Sequence, residues 1–241
     1  MKSNAATFKS WILYQDDNYL VVNKPPYVPS LHERGKFTSV PLIELAREFN
    51  PDATLCHRLD RETSGAVIIA LNAEAYRHMS IQFEDRQVEK IYHAVVEGQV
   101  RFEDHMVDLP INSDHPGRVR IDKKAGKPSA TFFKTLALFR HFSLLECQPV
   151  TGRLHQIRVH LESQNTHIIS DELYGGKIHL LSEIKRKHKG EDSPVMKRFA
   201  LHAAFIAFRK PDGEVVGIEA PYPKDFEVLL KILNKYDRFE G

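Results

Sequence analysis

The sequence predicts an α+β fold built on a mixed, mostly antiparallel sheet. Strand-like segments outnumber helical ones, several of them follow one another as hairpins, and no glycine-rich phosphate loop or dinucleotide fingerprint appears. With 241 residues, 42% hydrophobic and 27% charged, the chain is long enough to bury a sizeable core. It has no repeat, no low-complexity tract and no linker long enough to divide it. Residues 1–11 are therefore expected to be a short N-terminal extension and residues 12–241 a single domain.

In chain order, "WILYQDDNYLVVNKP" reads as two short strands around an Asp-Asp-Asn turn, after which Pro25, Pro26 and Pro29 enforce an extended loop. "SVPLIELAREF" sets Leu42, Leu45, Ala46 and Phe49 on one helical face, and "EAYRHMSIQFED" does the same with Tyr76, Met79 and Phe83. Between them "GAVIIAL" is a continuous Val- and Ile-rich run whose length favours a buried strand. Further strands are expected over 91–98, 130–138, 142–149, 200–208 and 214–219, the last two joined by the "PDG" turn at 211–213. "TGRLHQIRVHL" predicts a helix capped by Thr151 with Leu154, Ile157 and Leu161 inward. "KDFEVLLKILNKY" predicts a closing helix with Phe226, Leu229, Leu230 and Leu233 inward.

Apolar runs such as "AVIIAL" fall far short of the ~20 residues of a membrane span, and "MKSNAATFKS" lacks an apolar signal core. The two cysteines, Cys56 and Cys147, lie in apolar-looking segments, so a reducing cytoplasm fits better than a disulfide framework. Net charge is only +2, so distribution matters more than the sum. "EIKRKHKGE" gathers Lys185, Arg186, Lys187 and Lys189 around His188, and "GRVRIDKKAGK" adds five basic side chains. Taken singly each reads as a solvated loop; together they point to a polyanion.

Three polar residues sit where the apolar pattern does not want them. Arg158 lies four residues after Leu154, at the edge of that helix's buried stripe, where a guanidinium either snorkels to water or needs an anion at its tip. Asp60, in "CHRLDRETSG", directly precedes a buried strand. A pair between them would keep Asp60 ionised and oriented as a nucleophile or base, or would be a purely structural ion pair. Tyr92, in "KIYHAVVEG", shares a strand face with Ala94 and Val96, as a core tyrosine does and as a half-buried functional phenol also would. The thirteen histidines do not make a metal site: there is no His-Glu-x-x-His and no cysteine pair, and His155 and His160 diverge by about 140° on a helix.

"HRLDRETSG" at 57–65, "KIYHAVVEG" at 90–98, "GRLHQIRVHL" at 152–161, "LYGG" at 173–176 and "FALHAAFIAF" at 199–208 resemble the ordered motifs of the RluA-type pseudouridine synthases, a likeness running from about Ile12 to Pro223. The resemblance implies the pseudouridine synthase fold around a central RNA-binding cleft, and isomerisation of uridine in transfer or ribosomal RNA without cofactor or metal; because the likeness begins near residue 12, no separate N-terminal RNA-binding domain of the kind many relatives carry is expected. It implies that Asp60 is the catalytic residue, attacking C1′ or removing a 2′ proton to give a glycal. Arg158 pairs with it, and Tyr92 packs on the uracil and is a candidate base at C5. Arg58 enters the RNA stack left by the extruded nucleotide. His57, Arg61, Lys185, Arg186, Lys187 and Lys189 are the further expected RNA contacts, and a cytoplasmic monomer the expected state. The chain departs from the family pattern at "NKPPYVPS", where glycine or a small residue is usual after Lys-Pro, at Leu154, where Ser or Thr is common, and at Ser170, where Gly is frequent. Two rivals stand beside this reading: a non-catalytic RNA-binding or assembly factor, which would not need Asp60, and an RNA hydrolase, disfavoured because no second carboxylate is placed to activate water.

Overall fold

The computed structural model describes residues 4–32, 39–114, 118–185 and 190–239. They form two compact units. Residues 1–90 and 202–223 make the first, and residues 91–201 and 224–241 the second.

The first stretch of unit 1 runs α1 (Asn4–Lys9), β1 (Ile12–Gln15), β2 (Tyr19–Lys24), α2 (Leu42–Phe49), β3 (Thr54–Leu55), β4 (Ser64–Ala70) and α3 (Ala73–Glu84). Unit 2 follows with β5 (Glu89–Glu97), β6 (His105–Asp108), β7 (Ile111–Asn112), β8 (Arg120–Ile121), β9 (Ala130–Leu138), β10 (Phe142–Pro149), α4 (Gln156–Ser163), a 3₁₀ turn at Glu172–Tyr174 and α5 (Leu181–Ile184). The chain returns to unit 1 with β11 (Leu201–Arg209) and β12 (Val215–Glu219), then closes unit 2 with α6 (Lys224–Tyr236).

In unit 1, β2 lies antiparallel between β1 and β4, β3 adds antiparallel to β4, and β11 runs parallel to β4 and antiparallel to β12. All seven residues of β4 are buried, as its unbroken apolar run requires of a strand covered on both faces. Ala66, Ile68 and Ala70 pack in one cluster with Ala75 and Met79 of α3. Asn72 caps α3, its Oδ1 accepting from the Ala75 N–H. The buried stripe of α3 is Ala75, Met79 and Gln82, not the predicted Tyr76, Met79 and Phe83: Tyr76 is exposed, and Gln82 turns inward because its amide exchanges two hydrogen bonds with the Arg209 backbone. Phe8, within the predicted N-terminal extension, is fully buried against Trp11 and Phe49.

Gly65 explains the "TSG" ending of the Asp60 motif. Its φ is +118°, and a Cβ there would stand 2.2 Å from the Ala203 carbonyl oxygen on the parallel partner strand. Gly65→Ala is therefore expected to lower the unfolding free energy by about 3 kcal/mol or more, measured by urea titration. Ser64 beside it bonds to His202 Nδ1, whose Nε2–H donates to the Ala220 carbonyl.

In unit 2 every pairing is antiparallel: β10 lies between β5 and β9, β6 edges β9, and β7 with β8 forms a separate hairpin. α4 departs from expectation. It begins at Gln156 rather than at Thr151, with His155 as N-cap in the left-handed region at φ 52°. Thr151 donates instead to the Gln156 side chain. The helix is buried nearly all round from Gln156 to Leu161, Arg158 included, where a single stripe was expected. His160 is consumed structurally, bonding Thr131 through Nδ1 and the Leu109 carbonyl through Nε2. Among the described residues no helix is long and apolar enough to cross a membrane, and no three His, Cys, Asp or Glu side chains gather as a metal site. Both cysteines are free.

Candidate active site

The Asp60 loop, residues 56–63, connects β3 to β4 in unit 1 and is fixed through its backbone. Ser30 grips Leu59 twice, its hydroxyl donating to the carbonyl at 2.8 Å and accepting from the N–H at 3.0 Å. The Arg61 carbonyl accepts from the Tyr27 N–H at 2.8 Å and from Lys24 Nζ at 3.1 Å. The Thr63 N–H closes a turn onto the Asp60 carbonyl at 3.1 Å. Asp60 is half-buried, Arg61 half-buried and Arg58 exposed, so rigid backbone carries side chains within reach of a ligand.

Lys24 is a residue supporting the Asp60 loop that sequence reasoning missed. Its side chain is fully buried, with Nζ donating to the carbonyls of Pro25, Val28 and Arg61, so it welds the proline-rich loop to the Asp60 loop. The signal was a lysine ending the apolar run "YLVVNK" just before two prolines. Tyr27, in the segment that departs from the family pattern, has φ 67°, a conformation glycine takes without strain.

His57 anchors the loop from the other side. Its Nε2 accepts from the Ile68 N–H at 3.1 Å, and its ring lies 5.1 Å from that of Phe83. Burial, with the charge of Lys90 adding to it, pushes its pKa down to about 3. The ring also serves the fold, its Nε2 holding the Ile68 N–H while burial keeps it neutral. The consequence for stability follows from linkage. The unfolded chain takes up a proton near the ordinary value of 6.5 that the folded loop refuses until about 3, so this contribution is complete above the first value and lost as pH falls through the second. Burial shifts His93 and His160 in the same direction. His57→Gln, which keeps an acceptor but cannot charge, is expected to flatten the acid limb of stability between about pH 6 and 4. Urea unfolding at a series of pH values measures it.

In unit 2, Tyr92 stands on β5 opposite Cys147 and is half-buried beside the fully buried Ala94. Arg158 is 6% exposed and caged. Its Nε and Nη2 donate to the two oxygens of Asp171, each at 2.7 Å, and its guanidinium lies 4.1 Å from the Phe199 ring centroid and 4.8 Å from that of Tyr174. Asp171 is itself 2% exposed, which makes the pair a fixed, doubly bonded one. Sequence reading did not name Asp171, although it adjoins the quoted "LYGG"; nothing in its local pattern distinguishes a buried carboxylate from a surface one. Gly176 holds the turn closed, since a Cβ there would meet the Ile168 carbonyl oxygen at 1.9 Å. Ser170 has φ 60°, a conformation glycine takes without strain, and its hydroxyl donates to the Met196 carbonyl.

The structure thus gathers His57, Arg58, Asp60 and Arg61 on one loop of unit 1, and sets Tyr92 and Arg158 within unit 2. Lys185 is half-buried with Nζ 5.5 Å from the Tyr236 ring centroid. Arg186, Lys187 and Lys189 lie outside the described residues.

Residues 18–163 match the family described as RNA pseudouridylate synthase, a span that contains Asp60, Tyr92 and Arg158. Among curated proteins, the chain is 36% identical over 231 residues to the ribosomal large subunit pseudouridine synthase D of Neisseria meningitidis serogroup B, covering 92% of this chain and 60% of that one. It is 34% identical over 237 residues to the ribosomal large subunit pseudouridine synthase C of Vibrio parahaemolyticus, covering 97% and 72%. Among solved structures, human RNA Pseudouridylate Synthase Domain Containing 4 aligns with a TM-score of 0.72 at 26% identity over 95% of both chains. The chain belongs to the RNA pseudouridylate synthase family, and the fold expected from the resemblance is the one found. It spans about three fifths of the length of the synthase D relatives it matches.

Proposed function

We propose that this protein isomerises specific uridines in ribosomal RNA to pseudouridine, in the cytoplasm, as a monomer. The N1–C1′ bond breaks, the uracil turns, C5 joins C1′, and the proton displaced from C5 is balanced by one gained at N1. Asp60 acts on the ribose, at C1′ or at the 2′ proton. Arg158 is the partner of Asp60, and Tyr92 packs on the uracil. Arg58 fills the stack the nucleotide leaves, with Arg61 and the basic residues Lys185, Arg186, Lys187 and Lys189 contacting phosphates. None of these steps calls for a cofactor or a metal.

The observation that supports this most is the Asp60 loop, whose backbone is pinned by Lys24, Ser30 and His57 while Asp60 and Arg61 are half-buried and Arg58 is exposed. The names of the relatives above favour large-subunit ribosomal RNA as the substrate class. Purified protein incubated with ribosomal RNA and with transfer RNA, each carrying 5-tritiated uridine, tests the reading. Tritium release with uncut RNA, from ribosomal RNA before transfer RNA, is the expected result. Cleaved RNA would make it a hydrolase, and binding without release an assembly factor.

A further inference from the structure

Tyr174 is 1% exposed, yet it is the point where three separate parts of unit 2 meet. Its ring lies 4.8 Å from the Arg158 guanidinium and 5.3 Å from that of Arg118. Its hydroxyl accepts from the Val119 N–H at 3.2 Å and pairs with His155 Nδ1 at 2.9 Å. His155 is the left-handed residue on which α4, the helix of Arg158, begins, a conformation that persists only where its surroundings hold it. Val119 is buried in the hairpin of β7 and β8, in one cluster with Ile111, Val159 and Tyr174 itself. The tyrosine is seated from behind, its carbonyl hydrogen-bonded to His167 Nδ1 at 2.7 Å. Burial raises the phenol to about 12, so it keeps its proton throughout the working range.

The hairpin so attached is basic. Arg120, Lys123, Lys124 and Lys127 are exposed, Arg118 is exposed and paired with Glu162, and Asp122 bonds Asn112 and the N–H groups of Lys124 and Ala125. The segment 118–127 contains no aromatic residue, so its side chains suit phosphates rather than base stacking.

We propose that Tyr174 is the positioning residue that makes Arg158 and the basic hairpin one rigid piece: the ring sets the guanidinium, and the hydroxyl ties the first turn of α4 to the hairpin backbone. RNA phosphates seated on the hairpin then find the arginine already placed. The inference rests on the reading of Arg158 as part of the site, and it predicts a defect in turnover rather than in affinity.

Tyr174→Phe, which keeps the ring and removes only the hydroxyl, tests it with two readouts. Amide hydrogen exchange reports the clamp without any activity: exchange at Val119 and at the first turn of α4 is expected to rise together by about tenfold. The single-turnover rate at saturating RNA is expected to fall by about tenfold, with RNA affinity within about twofold of wild type. Tyr174→Leu, lacking the ring as well, is expected to lose about tenfold more. Faster exchange at Val119 alone, or a wild-type rate in Tyr174→Phe below its melting temperature, overturns the proposal and leaves Tyr174 a packing residue. A wild-type protein that forms no pseudouridine on RNA would refute the proposed function instead, and the exchange data would still decide the clamp.

Discussion

Asp60→Asn is expected to abolish pseudouridine formation, a loss of about 10⁴-fold or more, in a protein that still folds and binds RNA. The amide is nearly isosteric with the carboxylate and accepts hydrogen bonds, but has no charge with which to attack C1′ or take a 2′ proton. The loop should survive, because its anchors grip backbone atoms: Lys24 holds the Arg61 carbonyl, Ser30 both polar atoms of the Leu59 backbone, and His57 the Ile68 N–H. RNA affinity is expected to persist or tighten slightly when one negative charge leaves a phosphate-binding surface. If Asp60 served only as a structural charge, the outcome reverses: melting drops as for a broken buried pair, by a few kcal/mol, and activity follows the folded fraction. Tritium release and thermal melting on one preparation separate the two, and a stable, fully active Asn variant would remove Asp60 from the chemistry.

Arg158→Met carries the second large effect, and here structure and chemistry can be pulled apart. Removing the guanidinium strands the carboxylate of Asp171, which is 2% exposed and has both oxygens on Arg158. A buried charge left without its partner costs about 3–5 kcal/mol, so the single variant should be severely destabilised. Arg158→Met combined with Asp171→Asn removes both charges and is expected to recover most of that stability. Its pseudouridine formation is nevertheless expected to stay down by about 10²-fold or more, because the partner proposed for Asp60 is still missing. A double variant that regains activity along with stability would confine Arg158 to folding. Urea titration and single-turnover kinetics on the three proteins measure both arms.

Much of the fold was legible because its elements are periodic. β9, β10 and α6 occupy the stretches the pattern assigned, and Gly213 takes the left-handed conformation that the "PDG" turn demands. The short pieces β3, β6, β7 and β8 were missed, since two to four residues carry too little alternation to stand out from a loop. α3 shows a subtler limit. Tyr76, Met79 and Phe83 make the more apolar stripe, yet Gln82 faces inward because the Arg209 backbone needs both of its polar ends, a demand that arises 127 residues away.

The sequence by itself determined the fold class, the apolar strand behind Asp60 and, through its ordered motifs, the family. Those are properties of local periodicity and of residue order, which a linear chain carries in full. Only the tertiary structure decided which polar residues work as scaffold: that Lys24 is a buried weld on three carbonyls, that His57 is a neutral anchor, and that Arg158 is held by Asp171 and Tyr174. The physical reason is that the cost of burying a charge or a donor depends on partners brought together by folding, and in sequence those partners stand up to 37 residues apart with nothing to mark them as a pair.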